Sequence, residues 1–282
     1  MRLILLTCLT MIAFAANSVL NRMAVDSGAI DPSSFAMIRV LAGAVALCMI
    51  LTVRGGGLPL RERGRVVGAL SLAAYMIGFS LAYVTLDAGL GALILFGTVQ
   101  VTMFGWSALR GANPTMRQMA GAGIAFVGLL IALWPKDGVS GGISGAALMV
   151  VAGLGWAAYT LVGKGAKDPL AATAANFVLT LPILAVLLLG AGLHAAPSGI
   201  ALAIISGAVT SGLGYALWYS ILPRLAGQAA AVIQLSVPII AIAGGALLLG
   251  EALTLSLAFA AALVIGGIAV AVTASMVPTD RS

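Results

Sequence analysis

Asn17, Tyr75, Gln100, Trp156, Tyr159, Ser211, Tyr215 and Gln234 each interrupt a long apolar run. An amide or hydroxyl in such surroundings needs a partner, and a small polar molecule moving between helices can supply one. The two glutamines are the strongest candidates for hydrogen bonding a substrate; a bond to a neighbouring helix backbone fits them equally well. Arg39 is the one charge well inside an apolar run, seven residues after Pro32. At a rise of about 1.5 Å per residue it lies roughly 10 Å from the nearer end. A structural pairing with Asp31 or Asp87 is expected of it, with a substrate carboxylate as the alternative. The eight carboxylates are Asp26, Asp31, Glu62, Asp87, Asp137, Asp168, Glu251 and Asp280, and all fall between or beside the apolar runs, as does His194. No group is thus placed in mid-run to carry a proton or to neutralise a fixed cation. No metal cluster, nucleophile triad or phosphate loop is visible, so neither enzymatic activity nor a metal or other cofactor is expected.

These residues must be held by elements that live in lipid. The chain is 62% hydrophobic and 8% charged, with a mean hydropathy of +1.16; a soluble domain carries about 25% charged residues. Ten spans of about 20 residues each can cross a bilayer: 3–24, 32–53, 66–86, 88–109, 116–135, 143–164, 170–190, 199–222, 228–249 and 253–275. Their connections are short and carry Pro, Gly or charge, as in Asp31-Pro32, Asn113-Pro114 and Asp168-Pro169. A transmembrane barrel is disfavoured because the runs are continuously apolar instead of alternating.

The net charge of +6 does not point to nucleic acid, because the basic residues sit in the connections. Arg2, Arg54, Arg61, Arg63, Arg65, Arg110, Arg117, Lys164, Lys167, Arg224 and Arg281 fall on the side of the termini, and only Arg22 and Lys136 on the other. That asymmetry predicts cytoplasmic N- and C-termini. Cys8 and Cys48 lie inside spans and are read as free packing residues.

The two halves resemble each other. Gly78 matches Gly214, Phe79 matches Tyr215, Tyr83 matches Tyr219, Phe14 matches Trp156, and Arg39 matches Asn176. Five spans per half is an odd number, so the second copy enters from the opposite face, which predicts a 5+5 inverted-topology repeat. The repeat also bears on Met1-Arg2 and Ala13-Phe14-Ala15, which look like a cleavable signal. Their counterpart is internal, so this segment is expected to stay as a helix. Because one chain holds both repeats, an obligate oligomer is not required.

Three stretches, GYALWYSILPRL, AAAVIQLSVPIIAIAGGALLLGEALT and GWAAYTLVGKGA followed by PLAATAANFVLTLP, resemble the EamA-type branch of the drug/metabolite transporter superfamily. The resemblance implies an all-α membrane protein of ten transmembrane helices around a central cavity, with five-helix repeats over 1–137 and 138–282. It implies an inner-membrane transporter that exports small metabolites, amino acids among them, by alternating access; the alternative is a proton-coupled exporter of drugs or organic cations. The expected partners are the lipid bilayer and a small-molecule substrate, without nucleic acid. Trp218 and Tyr219 are expected at the cytoplasmic end, as an entrance or as headgroup-level belt residues.

Overall fold

The structure, a computed structural model, describes residues 2–111, 114–134, 142–164, 166–187, 189, 193–225 and 233–273. Among them are ten helices: α1 (Arg2–Asp26), α2 (Pro32–Val53), α3 (Arg65–Ala82), α4 (Ala88–Leu109), α5 (Met116–Leu133), α6 (Gly142–Gly163), α7 (Pro169–Leu187), α8 (Pro197–Arg224), α9 (Ser236–Leu249) and α10 (Leu255–Thr273). Eight are long and apolar enough to cross a membrane, and α5 and α9 are shorter apolar helices. The chain is a multi-pass membrane protein, and many large apolar side chains, mostly aliphatic, are exposed on its described helices, where lipid can cover them.

Helix starts follow local chemistry. Asp31 accepts from the N–H groups of Ser33 and Ser34 at the start of α2, with Pro32 in the first helical position. Asp168 does the same for Leu170 and Ala171 in α7. Thr115 and Gln118 form a reciprocal capping box on α5.

Helix α3 ends before its predicted bound, and the ninth span is interrupted within its described part. Helix α3 stops at Ala82 because Arg22 Nη1 takes the Tyr83 and Val84 carbonyls, at 2.9 and 3.2 Å, and the chain turns toward Asp87. Residues 226–232, the predicted start of the ninth span and its basic turn, lie outside the described residues. Ile233 and Gln234 are helical, but the helix is interrupted at Leu235. Pro238 explains the break: its ring conflicts with the carbonyl four residues back, which belongs to Gln234. Ser236 Oγ takes up the neighbouring Ile233 carbonyl at 2.7 Å.

The closest helix pairs mostly join one half of the chain to the other: α5 with α10, α3 with α6, α2 with α7 and α8, and α4 with α6 and α9. Glycine permits the tightest crossings. A Cβ added to Gly207 of α8 would collide with the Arg39 carbonyl of α2, and one on Gly267 would meet the α5 backbone at Gly121 and Ala125. Cavities open toward the end of the bundle that carries Lys164 and Pro169. The opposite end carries Asp31, Asp87 and Glu251.

Candidate substrate site

The site begins with a distortion in α8. Residues Ile205–Leu213 form a π-helical stretch, whose i→i+5 bonding widens the turn. In an ordinary α-helix Ser206 and Thr210 share a face and Ser211 turns away. Here all three hydroxyls converge on one atom, Asn17 Oδ1 of α1, at 2.8, 2.6 and 3.3 Å. Ser211 Oγ also accepts from Arg39 Nε at 3.2 Å. Arg39 Nη2 donates to the Tyr75 hydroxyl at 3.1 Å. The result is a polar knot that ties α1, α2, α3 and α8 together at the centre of the bundle.

Arg39 is 0% exposed. The expected pairing with Asp31 or Asp87 is not formed. Asp31 is spent on the α2 cap and the His194 N–H, while Asp87 faces Arg22 at 3.9 Å. The guanidinium instead lies over the rings of Phe79 and Tyr75, 4.9 and 5.5 Å from their centroids, and its Nη1 has no hydrogen-bond partner. Among the described residues no carboxylate offsets this buried charge. Cation–π contact and two hydrogen bonds hold it, and its field falls on the Tyr75 hydroxyl.

Tyr75 and Asn17 face a small deep cavity of about 20 Å³, lined also by Phe14, Ser18, Phe79, Leu95, Phe96, Trp156, Tyr215 and Gln234. Phe14, Trp156, Tyr215 and Gln234 then lead into a vestibule of about 220 Å³. The vestibule is completed by Tyr159, Thr160, Lys164, Pro169, Trp218, Tyr219 and Leu222. Trp156 sits between two tyrosines, stacked on Tyr159 and Tyr215 with centroids 5.4 Å apart in both cases. Its ring is also 5.0 Å from that of Tyr75. Thr173 receives the Tyr159 hydroxyl at 3.1 Å and lies 3.3 Å from that of Tyr219, fixing the far rim. No acidic side chain is among the described residues that line either cavity.

Seven of the eight residues singled out from the sequence are thus gathered around this space. Asn17, Tyr75, Trp156, Tyr215 and Gln234 line the deep cavity, Tyr159 lines the vestibule, and Ser211 stands behind Asn17. Gln100 does not join them. It lines a separate cavity of about 260 Å³ between α4, α5 and α10, with Phe104 and Gln118. Trp218 and Tyr219 line the vestibule, and Trp218 is only 7% exposed against Phe14. Both turn toward the vestibule, unlike Trp134, which is 75% exposed.

Several site residues went unnoticed in the sequence. Phe14 was already paired with Trp156 by the repeat, which was a usable signal. Ser206, Thr210 and Thr173 carried none, since a hydroxyl in an apolar helix ordinarily bonds the preceding turn. Lys164 read as one more basic residue at a span end, yet it stands at the vestibule mouth.

Beyond the deep cavity, toward Asp31, the interior is filled by Phe79, Tyr83 and the buried Asn21–Ser80 hydrogen bond of 3.0 Å. The loops at that end are clasped. Asp31 exchanges main-chain and side-chain bonds with His194 at 2.9 and 2.8 Å, and Ala196 N–H reaches the Ala29 carbonyl at 2.7 Å. Burial acts to raise the Asp31 carboxyl. Hydrogen bonds from the Ser34 side chain and from the N–H groups of Ser34, His194 and Ser33 outweigh it and hold it below the usual carboxylate range.

The described helices thus form an apolar bundle with a central cavity and a buried arginine that no described carboxylate pairs. Comparison with known proteins gives this bundle its class. The EamA-like transporter family matches residues 1–134 and again 143–273. The chain therefore belongs to that family, within the drug/metabolite transporter superfamily, whose members are transporters. It is 47% identical over 270 residues to an uncharacterized protein of Pseudomonas aeruginosa, covering 95% of this chain and 93% of that one. It is 26% identical over 255 residues to an uncharacterized transporter of Archaeoglobus fulgidus, covering 86% and 89%. A solved crystal structure superposes with a TM-score of 0.67 at 18% identity over 96% of this chain and 99% of the other, which is a likeness of fold.

Proposed function

We propose that the protein exports small zwitterionic or weakly anionic metabolites, amino acids in particular, across the inner membrane by alternating access. The observation that carries this reading is the charge of the pathway. Both cavities lack acidic lining among the described residues, Lys164 stands at the mouth, and the buried Arg39 is held without a counter-charge behind Tyr75. A guanidinium favours a carboxylate nearby, and it polarises the Tyr75 hydroxyl toward donating to one. An organic cation would meet the opposite field.

In this reading Gln234 and Asn17 orient the substrate, and Trp156 with Tyr215 forms the constriction between vestibule and deep cavity. The positive-inside asymmetry supports cytoplasmic termini, which makes the Lys164 end the cytoplasmic mouth. The repeat supports motion of two inverted five-helix units, 1–137 and 138–282. Tyr75 and Ser211, the two residues that Arg39 bridges, occupy equivalent positions in the register that matches Gly78 with Gly214.

The test is efflux and counterflow in proteoliposomes with a panel of amino acids and related metabolites, alongside the quaternary dye ethidium. Saturable movement of carboxylate-bearing solutes, abolished in Trp156→Ala, is the expected result. Ethidium uptake into inverted vesicles driven by a pH gradient, with no amino acid moved, would overturn the proposal.

A further inference from the structure

The carboxylate that caps α4 does not come from α4. Asp87 occupies the N-cap position, followed by Ala88 and Gly89, yet its side chain makes no capping bond. Glu251, from the loop between α9 and α10, reaches across instead. Its Oε1 accepts the Ala88 N–H at 2.6 Å and its Oε2 the Gly89 N–H at 3.3 Å. Two local features make that reach possible. Gly250 adopts φ of 69°, a left-handed conformation that ends α9 and lets the Glu251 N–H close on the Gly245 carbonyl at 3.1 Å. Gly245 has no side chain, and a Cβ there would collide with the Glu251 carboxylate.

The bond joins two elements that flank the deep cavity. Helix α4 lines the deep cavity at Leu95 and Phe96, and Gln234, just before α9, lines it from the other half. The two helices also touch directly below the loop, where a Cβ on Gly89 would meet Ile242. A carboxylate on the first N–H groups of a helix is a charge-assisted contact, reinforced by the helix dipole.

We propose that Glu251 is a positioning residue of the transport cycle, a latch that holds α4 against the α9–α10 loop and keeps the Asp31 end of the pathway closed. The latch rests on the alternating-access reading above, and the orientation given there makes this the periplasmic end. The test uses a reporter cysteine at Ala92, fully buried one turn into α4, in the full chain with Cys8 and Cys48 replaced. A membrane-impermeant maleimide is applied to each side of the membrane in turn.

Glu251→Ala should raise the labelling rate roughly tenfold or more, from the loss of two charge-assisted bonds. Glu251→Gln, which keeps one acceptor oxygen and no longer buries a charge, should label more slowly than Glu251→Ala. Gly245→Ala leaves the carboxylate intact but displaces it, and should also speed labelling, so the proposal stays testable if Glu251→Ala does not fold. Asp87→Ala, which removes the local acid that makes no cap, should stay within about twofold of the parent. Parent-like labelling in Glu251→Ala and Gly245→Ala, or an equal increase in Asp87→Ala, would overturn the latch. Faster labelling from the cytoplasmic side alone would support the latch and overturn the proposed orientation.

Discussion

The two ends of the bundle are built from the same kinds of helices and differ in what crosses between them. At the Lys164 end the space is lined by rings, Trp156, Tyr159, Tyr215, Trp218 and Tyr219, that stack without closing it. At the Asp31 end charged groups and main-chain amides bridge the two halves through Asp31 with His194 and Glu251 with Ala88 and Gly89. Arg22 adds ties to Asp26, at 3.1 Å, and to the turn after α3. Aromatic contacts are broad and only weakly directional, so rings can slide past one another. Hydrogen bonds to helix N-termini hold one geometry and then let go. In the proposed cycle, access to the central cavity is set by these few polar crossings, and the rings offer a surface to the substrate.

The polar knot between the two ends offers the sharpest way to break this arrangement. Arg39→Met removes the group that positions both Tyr75 and Ser211. A charge-assisted bond is worth about 1.5–3 kcal/mol, so transport should drop between about tenfold and about hundredfold while the protein still elutes as a folded species. Arg39→Lys should recover little, since one ammonium cannot reproduce the fork that reaches two partners. Full activity in Arg39→Met would remove the knot from the mechanism.

Next in size is Gly207→Ala. Its Cβ would strike the Arg39 carbonyl, and overpacking of this kind costs about 1–3 kcal/mol. A lower thermal midpoint in detergent, with transport reduced in step, is the expected outcome; an unchanged midpoint would mean that α2 and α8 can separate freely.

The two clasping carboxylates should respond to acid with opposite sign. Burial pushes Glu251 above the usual carboxylate range, helped by Asp87 and opposed by the Ala88 and Gly89 N–H groups and by Arg22; Tyr83 also faces it. The closed state thus binds a proton more readily than a hydrated, open one, and that contribution to closure fades as pH rises through the raised value. Asp31 is held low, so its clasp is complete above the usual aspartate range and lost only as pH falls through the lowered value. Labelling at position 92, divided by that of an exposed reference cysteine to remove the thiol's own ionisation, should slow modestly on mild acidification and quicken once pH falls through the lowered Asp31 value. A flat profile would show that neither carboxylate changes its bonding when the end opens. The smallest effect is expected of Gln100→Ala: its cavity is apart from the vestibule, and transport should stay within about twofold of the parent by proteoliposome flux, a surface-like change.

Much of the fold was legible because hydropathy and small residues add along the chain. Ten apolar runs, the Asp-Pro connections before them, and the absence of acidic residues from the runs could be read directly. The end of α3 was missed because it depends on Arg22, which is distant in sequence. The site was legible for residues out of place in lipid, such as Asn17 and Gln234. It was not legible for Ser206 and Thr210, whose hydroxyls ordinarily bond the preceding turn, nor for the way the π-helical winding of α8 brings Ser211 onto the same Asn17 oxygen. Gln100 looked as central as Gln234, yet its face of α4 turns toward α5 and α10.

By itself the sequence determined the solvent, the number of helices and the sign of the charges available to a substrate, since these are sums over residue types. The tertiary structure decided which polar groups meet. Arg39 found rings and hydroxyls where carboxylates had been expected, and α4 took its cap from Glu251 although Asp87 was next to it. The physical reason is that helix rotation and crossing select partners, and neither is written in hydropathy. An acid one residue away can be misdirected while one 163 residues away is aligned.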